Sequence, residues 1–102
     1  VTGFPRIALR LSGRARRAVT TADILDRAVD NQLPALDRLP ADARRRAADH
    51  LAELALLAEA YRQYARGRIT KRELHRRGRQ ATARLTELRL TRLAAAHLTE
   101  RD

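Results

Sequence analysis

From Ala41 to Arg66 the chain contains neither glycine nor proline, and from Lys71 onward only Gly78 interrupts. Stretches of that length without a breaker fold as helices. At ~1.5 Å per residue, 41–66 makes a rod of roughly 39 Å and 71–98 one of roughly 42 Å. Composition points the same way. The hydrophobic set is dominated by 20 Ala and 16 Leu, with three Val, three Ile and three aromatics (Phe4, Tyr61, Tyr64). Sheets draw on β-branched and aromatic side chains, so an all-β domain is excluded. The 102 residues are one domain's worth of chain, and a chain this short buries only about 60–70% of the surface it exposes unfolded.

The apolar residues fall at helical spacing. Ala47, Leu51, Leu54, Ala58, Tyr61 and Ala65 step by four and three, widened by Leu57 and Tyr64. Leu74, Gly78, Ala81, Leu85, Leu88 and Ala95 do the same in the second rod, where Gly78 and Ala81 would admit a neighbouring backbone. Gly67 suits the left-handed position that closes the first helix. Thr70 and Glu73 have capping-box spacing for the start of the second. Two long helices joined by so short a turn predict an antiparallel hairpin over about 41–66 and 71–98.

Upstream, Thr21 reads as an N-cap for a short helix over about 22–32, with Ile24, Leu25, Ala28 and Val29 one turn apart. Asp23 and Arg27 form an i,i+4 pair within it. Pro34 and Pro40 disfavour helix at Leu33 and Leu39 and leave room for one turn between them, with Leu36 and Leu39 inward. Ile7, Leu9 and Leu11 alternate with Arg6, Ala8 and Arg10, a period-two pattern that predicts a short strand over 6–11, stopped by Gly13. A lone strand needs a partner for its backbone groups, and the same strand of a second copy would serve; a helical turn is the alternative. The expected architecture is therefore all-α, with that strand as its one departure. Residues 1–20 form a basic arm and 21–102 a helical domain. Leu56, Leu90 and Leu93 exceed what two stripes can cover, so a homodimer or hetero-complex is expected.

Charge is concentrated. Lys and Arg number 22 against 12 acids, for a net charge of +10. Residues 1–20 carry five Arg and no acid, while residues 67–84 carry seven basic residues and one Glu. Elsewhere the signs nearly balance. At ~100° per residue, Arg68, Arg72, Arg76 and Arg79 fall within ~80° of one another. They lie opposite the Leu74-Ala81-Leu85-Leu88 stripe, with Lys71, Arg77 and Arg84 further round. Guanidinium groups fork onto phosphate oxygens, and such clustering is the electrostatic footprint of a polyanion binder. Arg6, Arg10, Arg14, Arg16 and Arg17 are the second candidate group.

Other chemistry is sparse. The sequence has no cysteine, which excludes disulfides and thiolate-held metals. Ser12 is the single serine, and neither a P-loop nor a dinucleotide fingerprint occurs. His50 and Glu53 form one i,i+3 pair without a companion, and Asp23, Asp26 and Asp30 line one helix face. Incomplete ligand sets argue against metal, and pairing of those aspartates with the protein's own arginines is expected instead. No catalytic residue or cofactor is expected. No apolar run approaches the roughly 18–20 residues of a membrane span, and no secretory core region is present.

Two DNA-binding architectures share features with the chain. The Ile7-Leu9-Leu11 ribbon followed by Thr21-Ala22-Asp23-Ile24-Leu25-Asp26-Arg27-Ala28 resembles a ribbon-helix-helix protein over residues 6–33, which would put Arg6, Ala8 and Arg10 on the bases. About a dozen residues separate ribbon from Ile24, too few for that family's first helix. Gly67 to Thr70 followed by Lys71 to Arg79 is similar to a helix-turn-helix, with an overlong first helix. Neither identifies the chain. The expected function is non-enzymatic binding of nucleic acid, with duplex DNA favoured and RNA second; the scarcity of aromatic stacking platforms favours duplex binding through phosphates over single-strand recognition. A regulatory or plasmid- or phage-type accessory role in a bacterial cytoplasm, associated with the nucleoid, would suit it. The alternatives are an antitoxin-like adaptor or inhibitor docking on an acidic protein, and a small ribonucleoprotein subunit.

Overall fold

A computed structural model describes residues 12–101, with side chains through residue 97. Among the described residues the fold is all-helical: α1 (Gly13–Gln32), a 3₁₀ segment (Leu33–Arg38), α2 (Ala41–Ala65) and α3 (Lys71–Arg101). Residues 6–11, where a strand was expected, lie outside the described residues.

The first helix is longer than the sequence pattern predicts. It begins at Gly13, not beyond Thr21, because Ser12 caps it: the Ser12 hydroxyl accepts from the Ala15 N–H at 3.0 Å. Thr21 is one of its interior residues, and its hydroxyl donates back to the Arg17 carbonyl at 3.0 Å. Glycine at a first helical position needs no special backbone, so Gly13 does not break the chain as expected. The junction between residues 20 and 21 lies inside α1. Leu33, expected to leave the helical region ahead of Pro34, stays in it (φ −53°, ψ −46°) as the cap of α1. Leu39, ahead of Pro40, does turn extended (φ −91°, ψ 147°). Pro40 caps α2 one residue before its first turn.

α2 ends in a fully formed Schellman motif. The Arg68 N–H donates to the Gln63 carbonyl at 2.9 Å and the Gly67 N–H to the Tyr64 carbonyl at 3.0 Å. Gly67 takes φ +74°, the single positive φ among the described residues. Thr70 then caps α3, accepting from the Glu73 N–H at 3.1 Å. The reciprocal half of the expected capping box is missing, because the Glu73 carboxylate is occupied by two arginines.

α2 packs against both other helices, and no Cα of α1 comes within 8 Å of a Cα of α3. Residues 43–50 of α2 share a cleft with residues 82–92 of α3. The molecule measures 65 × 29 × 16 Å. Since one helix with side chains is about 10–12 Å across, the helices form a single layer. The core is correspondingly shallow: Ala15, Ala18 and Ala22 from α1, Leu51, Ala58 and Ala60 from α2, and Leu74, Ala81 and Leu88 from α3. Ala side chains at these seams let helix axes approach closely. Leu54, Tyr61 and Ala65 of the predicted stripe are only half-buried. A Cβ added at Gly78 would meet nothing within 4 Å, so Gly78 admits no neighbouring backbone, contrary to the expectation from its position. Ile24, Leu33, Leu56, Leu90 and Leu93 are exposed.

Candidate nucleic-acid interface

The first turns of α3 carry most of the predicted basic row. Arg68, Arg72, Arg76 and Arg79 are all exposed, as their common face requires. Glu73 is the one acid among them, and it is committed. Its carboxylate accepts from Arg76 Nε and Nη2, both at 2.6 Å, and from Arg77 Nε at 3.0 Å. The Arg76 fork, aided by Arg77, holds the Glu73 carboxyl well below its ordinary range, at about 2. The same contact raises Arg76 above its usual value. Arg84 stands further along the helix and pairs with Glu87 at 3.2 Å. The side chains of Arg68, Lys71, Arg72 and Arg79 make no hydrogen bond or ion pair with any described residue.

The other candidate group joins this end of the molecule. With α1 starting at Gly13, Arg14, Arg16 and Arg17 sit on its first two turns. Docking of Ala15, Ala18 and Ala22 against α2 fixes the direction of α1. Arg14 and Arg17 consequently border one shallow cleft with Lys71 from α3 and with Tyr61, Tyr64 and Thr21. Ala18 and Leu74 complete it, and among the described residues no carboxylate lines it. Two helix N-termini, those of α1 and α3, lie at this end, and their partial positive charges add to the side-chain charge. Arg6 and Arg10 lie outside the described residues.

So the structure gathers Arg14, Arg17 and Lys71 and leaves Arg84 apart, in its own ion pair. Tyr64 and Thr21 are cleft residues to which the sequence pattern gave other duties, Tyr64 in the apolar stripe and Thr21 as a helix cap. Tyr61, read from its spacing as core, is half-buried at the cleft wall. Their signal was weak because it depends on α1 reaching back past residue 21. Two of the three aspartates lined up on α1, Asp23 and Asp26, have a partner. Arg62 Nη2 contacts Asp26 at 2.6 Å and Asp23 at 2.9 Å, which takes Asp23 from its expected partner Arg27. Among the described residues no cluster of three or more potential ligands could hold a metal ion, and no helix is long and apolar enough to cross a membrane.

Comparison with protein-family models, with curated proteins and with solved structures gives no match.

Proposed function

We propose that this chain is a non-enzymatic nucleic-acid-binding protein that grips a phosphate backbone with the end of the molecule built from the starts of α1 and α3. The observation that supports this reading best is the convergence of Arg14 and Arg17 with Lys71 around a cleft without a carboxylate. Arg68, just before α3, and Arg72 and Arg79 on it extend that charge with no partner among the described residues. Ordinary solvated faces mix signs; from Arg68 to Arg79 this one carries a single acid, Glu73, already held by Arg76 and Arg77. Duplex DNA is the favoured target and structured RNA the second; single strands are disfavoured because Tyr61 and Tyr64 are half-buried and offer little stacking surface. The exposed Leu56, Leu90 and Leu93 favour assembly as a homodimer, in which 41–66 and 71–98 would act as an antiparallel hairpin packed on its copy. A regulatory or accessory role at the nucleoid would follow.

The same leucines favour one other reading, an adaptor docking on an acidic protein. Fluorescence anisotropy with labelled duplex DNA, single-stranded DNA and structured RNA separates the two. At about 50 mM salt the duplex should bind, and a fourfold rise in salt should weaken it by about 10³ if six or so phosphates are contacted. Absence of any nucleic-acid binding at the lower salt, with an acidic protein co-purifying, would leave the adaptor reading.

A further inference from the structure

A second cleft, of about 510 Å³, lies between the first half of α2 and the middle of α3. Its apolar lining comes from Leu39, Ala43, Ala47, Leu85 and Leu88. Around that lining stand Arg46, Arg89, Arg92 and His50. Among the described residues no carboxylate lines it, and none of its three arginines forms an ion pair with any of them. Arg46 Nε is buried and has no hydrogen-bond partner, the one such side-chain nitrogen or oxygen among the described residues.

These facts are costly for a chain with nothing in the cleft. Three guanidinium groups of like charge repel one another, and a buried N–H without an acceptor forfeits the hydrogen bond it made in water. An oxyanion removes both costs at once, because guanidinium donors match the oxygens of a carboxylate or phosphate in pairs. Inorganic anions would leave the leucines wet. From this combination we infer that the cleft binds a small amphiphilic anion, a carboxylate or phosphate head on an apolar body. The head sits against Arg46, with Arg89 and Arg92 closing over it. The body covers Leu39 and Leu85, the half-buried leucines of the lining. Its volume is in the range of clefts that hold small ligands of this kind. The site is separate from the basic end of α1 and α3, and shares none of its residues.

Calorimetric titration of the full chain at about 0.15 M salt tests this with octanoate and octyl phosphate as probes. Octanol, octyltrimethylammonium and inorganic phosphate serve as controls. At least one of the two amphiphilic anions should bind with a dissociation constant below about 1 mM, and the tighter one identifies the head group. The ring protons of His50 should shift in the NMR spectrum as it binds. The three controls should bind at least tenfold more weakly. R46L should lower affinity at least tenfold, and if that variant does not fold, the exposed pair R89Q/R92Q should do the same. Equal binding of octanol or the quaternary cation would overturn the inference. So would no response at His50, unchanged affinity in the folded variants, or no binding of either anion.

Discussion

Arg62 of α2 and Asp26 of α1 stand 2.6 Å apart, and the same guanidinium nitrogen reaches Asp23 at 2.9 Å. One cation from the central helix thereby ties down two acids spaced three apart on its neighbour. Asp26, with help from Asp23, raises Arg62 above its usual value. All three side chains keep solvent contact, so screening limits the energy. R62M should destabilise the fold by about 0.5–1 kcal/mol, read from the urea midpoint at unchanged slope. An unchanged midpoint would mean that Ala packing alone docks α1.

Glu73 gives a pH signature. Its carboxyl ionises at about 2 when folded, against an ordinary value of 4.5. A depressed folded value means that the unfolded chain takes up the proton first as pH falls. The stabilisation is complete above about pH 4.5 and disappears on the way to pH 2. E73Q should flatten the dependence of the melting temperature over that window. Parallel melting profiles for both proteins would assign the acid sensitivity to other carboxylates.

The arginines of the basic row should not be equivalent. Arg76 is already partly neutralised by Glu73, whereas Arg72 has no partner among the described residues. R72A should therefore weaken duplex binding severalfold and reduce the steepness of its salt dependence by about one phosphate. R76A should cost less. E73Q frees two cations and should tighten binding severalfold. Competition anisotropy at constant salt gives this ranking, and a reversed order of R72A and R76A would place the contact surface elsewhere.

Two glycines predict opposite signs. At Gly67 a Cβ has open space, yet φ is +74°, so G67A should lose about 1–2 kcal/mol through backbone conformation alone. At Gly78 the space is open and the backbone is ordinary helix. G78A should gain about 0.5–1 kcal/mol. Denaturant titration of the two variants side by side tests both, and a loss at Gly78 would mean that a second copy packs there.

Ala58 is fully buried at a helix seam. A58L should cost about 1–3 kcal/mol by forcing the helices apart. Thermal unfolding followed by circular dichroism would show it; a neutral effect would mean that the layer can swell.

The long helices α2 and α3 were legible because nothing between Ala41 and Ala65 breaks a helix and only Gly78 is weak in α3. The turn was legible because Gly67 and Thr70 have distinct chemical duties at helix ends. The start of α1 was not. Ser12 and Thr21 are both acceptable caps, and Gly13 reads equally as a stop or as a first helical residue. Choosing between them depends on whether Ala15 and Ala18 find a surface to pack on, which is a property of α2. The exposed face of Arg68, Arg72, Arg76 and Arg79 followed from helical period alone. The meeting of Lys71 with Arg14 and Arg17 did not, because residues more than fifty positions apart are joined only by the docking of α1. The demotion of Arg76 by Glu73 was equally hidden: the spacing that offers a capping box also offers an ion pair, and the arginine fork won.

A slab 16 Å deep keeps its interior to a few alanines and leucines at the helix seams. Water stands within one side chain of nearly every peptide group, so amide protons throughout the fold should exchange at similar and modest protection. Whatever settles on either broad surface then supplies the missing second half of the burial. Occupancy by any such guest should raise the melting point in proportion to the logarithm of its concentration. For this molecule, endurance against heat becomes a readout of company kept.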